Sequence, residues 1–469
     1  MRYLFPLLIS TVMGGAASGS PAEAVAAAKA DAERLPYELR TQTRYLSLHE
    51  IPPEQRVEVS RTVDFWVNSL SRNSELIRCR RIGTIALAVA VSDYGWDATV
   101  FGALADTDPW FHLQVLRVYP AGYYGGRYYR ASTVQETALR GFPGHAELAA
   151  LVESRCPIVD AAWFVAVTSR QLGLNNKDNG TGYYSWLGVT KRKDFERLVR
   201  LDADASRDIG REIRAAVEAS GVAQNNRQVV RLQALTGGAW VTLDVEDPTG
   251  FGNAVRFLDR RDFKHAAEEH FAPLPNGLFA FLLCDVKGNL QATAPDFIGA
   301  DTTSHSRDGR IHAGKSCISC HAGGLLPVDD WVRRTLRSPL GLQEPDYAKF
   351  LELRRQYFSD LSRQLKRDNE LYAEAVRALN GRTPGDNAKL FIELYDFYVN
   401  RPRTAADVAL ALGVTEAKLV QALTDYAANP PKGQGRIDLA FAPLLQKGTI
   451  RVEALEEMVP LLYEILGTK

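Results

Sequence analysis

Residues 314–321 read Gly-Lys-Ser-Cys-Ile-Ser-Cys-His, and the last five of them decide how the rest of the chain is read. Cys317 and Cys320 stand three positions apart, and His321 follows at once. Two thiols at this spacing with an adjoining histidine form the attachment pattern of a c-type haem. The thiols add to the two vinyl groups on one edge of the porphyrin. The next residue then falls under the iron on a short helical turn, where its imidazole is the proximal ligand. With 5 cysteines and 8 histidines in 469 residues, chance gives this pattern in roughly one chain in a thousand.

Two other chemistries use paired cysteines. A zinc site needs a second pair of ligands at suitable spacing, and Cys79, Cys156 and Cys284 are isolated from one another. A thioredoxin-like dithiol needs a strand-to-helix setting, whereas here a polar, glycine-bearing loop, 301–315, precedes the motif. One covalent haem c held by Cys317, Cys320 and His321 is therefore the expectation. The sixth iron ligand stays open. Met458 is the only methionine beyond Met1 and Met13, and it lies on an apolar stretch that reads as core. Upstream histidines are His265, His270, His305 and His312. His312 ranks first because the five-residue step to Cys317, if extended, reaches across the ring. An iron with an open position is the equal alternative.

Working outward, the N-terminus carries Arg2, a short apolar stretch over 3–17, and small residues suited to cleavage after Ala16-Ala17-Ser18 or Ala22-Glu23-Ala24. This is the pattern of a signal peptide, with a buried N-terminal helix as the alternative. Export fits the motif, because c-type haem is attached outside the cytoplasm, so a periplasmic or secreted location is expected. The longest later apolar runs, 85–91 and 278–284, are strand-length, so the mature chain has no expected membrane span. Lysine plus arginine and aspartate plus glutamate number 56 each, which gives no basic excess for nucleic acid. With Cys317 and Cys320 committed, Cys79 and Cys156 are left as a candidate disulfide and Cys284 as a buried single thiol.

The expected fold class is α+β: a mixed α/β N-terminal region, a cytochrome c-like haem segment and a mainly helical C-terminal region. The expected boundaries are 1–24 for the signal, then 25–295, 296–400 and 401–469. Residues 22–32 read as an alanine-rich linker and 53–72 as a helix. Residues 84–94, 111–119, 163–168 and 239–245 read as strands, and 191–219 as helical. The stretches 278–286 and 289–293 read as strands joined at Lys287-Gly288. After the motif, Phe350, Leu353, Tyr357, Leu361 and Leu365 form an amphipathic stripe. Further helices are expected at 369–379, 387–400, 404–412, 415–428 and 452–466.

Residues 404–423 resemble a helix-turn-helix, and a helical hairpin packed on the core is the preferred reading of them. Tyr123, Tyr124, Tyr128 and Tyr129 form one aromatic cluster, and Tyr183, Tyr184 and Trp186 a second. Either suits a planar ligand or sugar, and loop packing is the simpler explanation. Asp93 and Asp97, four residues apart, read as acids on a turn.

Several stretches together resemble a group of large exported bacterial proteins with one c-type haem motif. They are Arg44–Leu48, Asn68–Ser71, Asp93–Asp97, Trp163–Ala166, Gly221–Arg227, Leu274–Leu278 and Gly314–His321, spanning roughly 44–330, with a fainter similarity at 404–450. In that group a histidine often follows the Gln-Asn-Asn-Arg segment. Here Gln228-Val-Val-Arg-Leu232 follows it without one. The resemblance implies a cytochrome c-like protein and supplies no substrate. The expected function is electron transfer through the haem to a redox partner that the sequence does not identify. Two alternatives remain: a haem enzyme or sensor with an open distal site for peroxide, oxygen or nitric oxide, and a carbohydrate- or protein-binding module with an accessory cytochrome segment.

Overall fold

The computed structural model describes residues 19–97, 142–203, 212–217, 223–249, 263–301, 309–327, 361–429 and 438–455, apart from 155, 176, 177, 224, 322, 413 and 453, together with isolated residues elsewhere. The expected strand at 111–119, the tyrosines at 123–129, His305, Phe350, Leu353 and Met458 lie outside the described residues.

The architecture is α+β. Helix α1 (Pro21–Arg34) opens the described chain, followed by β1 (Thr43–Ser47), α2 (Arg56–Ser69), β2 (Arg80–Ile82) and β3 (Ala86–Ala90). Then come α3 (His145–Leu151), β4 (Ile158–Asp160), α4 (Ala161–Thr168), β5 (Gln171–Asn175), β6 (Asp178–Gly182) and α5 (Arg192–Leu198). A run of strands follows: β7 (Ile213–Val217), β8 (Arg227–Ala234), β9 (Gly237–Asp244), β10 (Ala267–Pro273) and β11 (Phe279–Asp285). The motif helix α6 (Lys315–Cys320) precedes α7 (Leu361–Asn380) and α8 (Pro384–Asn400). The chain closes with β12 (Pro402–Thr404), α9 (Ala405–Ala411), α10 (Glu416–Ala428), α11 (Asp438–Lys447) and β13 (Thr449–Arg451).

Strands β7 to β11 form an antiparallel meander in the order β11-β10-β9-β8-β7, and β2-β3-β1-β4 form a smaller sheet. Successive side chains on a strand point to opposite faces. In the observed register Arg231, Trp240, Phe271 and Phe281 therefore share one face of the meander, while Gln228, Leu243, Glu268 and Cys284 share the other. Helix α7 docks on the first face. Its buried Asp368 accepts hydrogen bonds from Arg231 Nε at 2.8 Å, Arg231 Nη2 at 3.1 Å and Trp240 Nε1 at 2.8 Å. Helix α5 covers the second, with Arg192 Nη1 at 2.8 Å from each Glu268 carboxylate oxygen. The main core draws on residues from Leu46 to Leu466, and so on all three expected regions after the signal. Trp66 anchors it, packing on Phe391 at 4.8 Å and donating to Thr168 Oγ1 at 2.7 Å.

Several expectations need correction. Residues 163–168 are helical, because Asp160 caps α4 by accepting from the Trp163 amide at 2.7 Å. Residues 22–32 are no linker. They belong to α1, which has a Ser20/Glu23 capping box and buries Ala24, Val25, Ala28 and Ala32. Among the described residues of 191–219, Arg192–Leu198 is a helix, while Ile213–Val217 is the edge strand β7 rather than helix. The expected helix at 369–379 is present and begins earlier, as part of the 20-residue α7. Cys79 and Cys156 form no disulfide with each other. The Cys79 thiol lies 3.7 Å from the Tyr94 hydroxyl, and that of Cys156 faces the Ile158 carbonyl at 3.8 Å.

Other expectations hold. Strands cover the expected cores of 84–94, 239–245 and 278–286. Cys284 is a buried thiol, and the described residues of 452–466 are helical. Helices α9 and α10 form a hairpin whose Val408, Leu412, Leu419 and Leu423 enter the core. Tyr183, Tyr184 and Trp186 are buried packing residues. No helix among the described residues is long and apolar enough to cross a membrane.

Candidate functional site

The motif helix is held in place before its cysteines begin. Gly314 precedes it with φ +82°, a left-handed conformation that suits glycine. A Cβ there would lie 2.7 Å from the Ser169 carbonyl oxygen and 3.0 Å from the Tyr183 ring, so the close approach also excludes a side chain. Ser169, at the end of α4, accepts from the Lys315 amide at 2.9 Å, and the Lys315 ammonium lies 4.5 Å over the Tyr395 ring. Ser316 donates from its hydroxyl to Asp301 at 2.7 Å. Ser169, Tyr183, Asp301 and Tyr395 thus fix Gly314, Lys315 and Ser316 at the start of the helix.

Cys317 and Cys320 stand one helical turn apart on α6, and the His321 amide donates to the Cys317 carbonyl at 2.8 Å. The His321 ring lies against Phe271, centroids 4.5 Å apart, and beside Phe281 at 6.3 Å. Its Nδ1 is 3.3 Å from the Gly324 carbonyl oxygen and donates to it. That bond commits Nδ1 and leaves Nε2 as the nitrogen able to ligate. The Gly324 loop is itself fixed, because Asn369 on α7 accepts from the Leu325 amide at 2.7 Å and donates to the Leu325 carbonyl at 2.9 Å.

Burial, helped by the charge of Glu269, pushes the Cys317 thiol well up, and burial pushes Cys320 up to about 11. Redox dithiols work through an acidic thiolate, and this pair is shifted the other way. Burial also lowers the His321 pKa, against the opposing charge of Glu269, so the imidazole is neutral, the form that binds a metal. Among the described residues, the two motif thiols and His321 do not converge on one point, as ligands of a single zinc would. Neutral thiols a turn apart and a neutral imidazole with Nδ1 committed form a donor set that fits haem c.

The same face of the sheet carries a buried charge network. Arg227 donates to Asp244 at 2.7 Å and to Glu269 at 3.1 Å, and Thr242 donates to Glu269 at 3.1 Å. Burial raises the Asp244 carboxyl to about 6, with Glu269 adding to the shift and Arg227 opposing it.

The other histidines fall elsewhere. His270 neighbours Phe271 on β10 and therefore points to the opposite face, where it meets Glu268 at 2.8 Å. His265 meets the same carboxylate at 2.9 Å. Neither shares the face that holds His321. His312 lies just before α6, but the stretch to Cys317 is a turn rather than an extended segment. The Ser316 amide donates to the His312 carbonyl at 3.1 Å, and the His312 amide donates to Ser316 Oγ at 2.9 Å. The reach expected of an extended chain is absent.

Asn369, Gly324 and Phe271 escaped the sequence reading, and nothing local marks them. The grouping of Glu268, His270 and Cys284 had a readable signal. Leu274-Pro-Asn-Gly-Leu278 is a hairpin loop whose Leu274 amide donates to the Leu278 carbonyl, and counting back from its centre at Asn276 sets Glu268 opposite Cys284. Comparison with protein-family models, with curated proteins and with solved structures brings no match.

Proposed function

We propose that the chain is an exported mono-haem c-type cytochrome-like protein that transfers electrons. The observation that carries this reading is His321, set directly after the two α6 thiols with Nδ1 engaged by the Gly324 carbonyl. A haem bound here would supply a one-electron ferric/ferrous couple. Cys317 and Cys320 would hold it, each S–H adding across one vinyl double bond with no leaving group. His321 would present Nε2 to the metal, while Gly324 and Asn369 keep the ring from rotating. Phe271 and Phe281 keep that side of the imidazole dry. Cleavage of the leader after Ser18 preserves the Ser20 cap of α1, whereas cleavage after Ala24 would sever the helix.

Denaturing electrophoresis with a haem stain, on protein made in a host able to mature c-type cytochromes, tests the reading. The expected result is one stained band that Cys317→Ala/Cys320→Ala removes. A colourless wild-type band overturns it. Carbon monoxide added to the reduced protein then separates carrier from enzyme: slow or weak binding fits a carrier, and prompt binding fits an open catalytic site.

A further inference from the structure

The face of the meander turned away from His321 holds a second set of donors. Glu268 and His270 are two apart on β10 and so share that face, and Cys284 on β11 pairs directly with Glu268. All three are buried. The Glu268 carboxylate lies 2.8 Å from His270 Nε2 and 3.7 Å from the Cys284 sulfur, which is 3.8 Å from His270 Nε2. His265, with 23% of its side chain exposed, lies beside this cluster and meets the other Glu268 oxygen, Oε1, at 2.9 Å.

We propose that Glu268, His270 and Cys284 bind one divalent transition-metal ion of the zinc type, with His265 turning in from the edge as the fourth ligand. Thiolate, imidazole and carboxylate are the donors zinc takes, with bonds of about 2.0–2.3 Å in a tetrahedron. Those bond lengths put neighbouring donor atoms roughly 3.3–3.8 Å apart. The two sulfur separations already have this size. The short nitrogen–oxygen separation is a hydrogen bond across a proton, and it widens when the metal takes the proton's place. The sulfur-containing set selects against calcium and magnesium, which take oxygen ligands.

The surroundings suit such a site. Arg192 contacts both Glu268 oxygens at 2.8 Å and would keep one of them while the other ligates, orienting the carboxylate. Phe195 packs on His270 with centroids 6.1 Å apart and fences the inner side. Exposure of His265 leaves a route in from solvent. Binding displaces the Cys284 proton to solvent, so a thiolate and a carboxylate balance the dication. Four protein ligands close the coordination sphere, which marks a structural role, clamping β10 to β11 behind the residues that hold His321. The site does not depend on the haem reading.

The full chain, desalted after incubation with zinc chloride and analysed for metal content, should retain one zinc per chain. Cobalt(II) as a probe should give a thiolate-to-cobalt charge-transfer absorption that Cys284→Ala abolishes and Cys317→Ala/Cys320→Ala leaves in place. His265→Ala, at the half-open edge, keeps the fold and should weaken zinc binding by at least tenfold. Folded wild-type protein without stoichiometric metal, cobalt absorption that survives Cys284→Ala, or unchanged affinity in His265→Ala would each overturn the assignment.

Discussion

Phe271 touches His321, and its chain neighbour His270 touches Glu268 on the far side of the same strand. One residue step along β10 therefore separates the side that packs on His321 from the side that carries Glu268, His270 and Cys284. A shift of register by one position would exchange the two faces and destroy both. The loop from Leu274 to Leu278, centred on Asn276 and with Gly277 at φ +87°, is what sets that register.

Asn369 acts on His321 at one remove, through the Leu325 backbone. Asn369→Ala should cost about 1–3 kcal/mol, since it leaves a partly buried amide and carbonyl unpaired. In haem-loaded protein it should also shift the midpoint potential, because the His321 Nδ1 partner is loosened. Urea titration and spectroelectrochemistry measure the two effects. A stability loss with an unmoved potential would make Asn369 merely structural.

Asp244 should set part of the acid dependence of stability. Its folded pKa is raised to about 6 from an ordinary 3.8, chiefly by burial. The folded state therefore binds the proton more tightly. Its contribution to stability is full below pH 4 and lost as pH rises through 6. Wild type minus Asp244→Asn, measured by denaturant titration from pH 4 to pH 7, should fall with rising pH. A flat difference would refute this.

Asp368 and Arg231 form a buried pair that joins α7 to the sheet, with side chains only 2% and 5% exposed. Removing one partner strands the other, so Asp368→Ala should cost about 3–5 kcal/mol. Arg231→Met/Asp368→Leu should recover most of that loss. Thermal melts of the three variants decide it.

His312 is fixed in a turn by Ser316 and is the weaker for it as a sixth ligand. His312→Ala should leave the spin state of the ferric haem unchanged, as read by absorption spectroscopy. A change from low to high spin would restore His312 to the iron and require the turn to open.

The sequence carried the motif, the helical C-terminal region and strands at 84–94, 239–245 and 278–286, because each has an intact local pattern. Trp163–Thr168 misled because every residue of α4 is buried, and a short apolar run has no period to tell helix from strand. Ala267–Pro273 was hidden by Glu268, Glu269 and His270, a charged run that reads as loop. Glu268 is matched by Arg192 and Glu269 by Arg227, partners 76 and 42 residues away in the chain. The CxxCH spacing was legible, while the loop and the strand that orient His321 were not, since Asn369 and Phe271 reach it only through the fold.

Strand β11 lies at the margin of the meander, with its outward amides turned from β10. The phenol oxygens of Tyr183 and Tyr184 accept from the Phe281 and Leu283 amides, each at 2.9 Å. An open margin of this kind is a template for a neighbouring molecule's strand. Here the two phenols come 98 and 99 residues earlier in the chain than the amides they cover. A chain emerging from its N-terminus has both tyrosines in hand before β11 arrives, so the strand is shielded from intermolecular pairing as it docks.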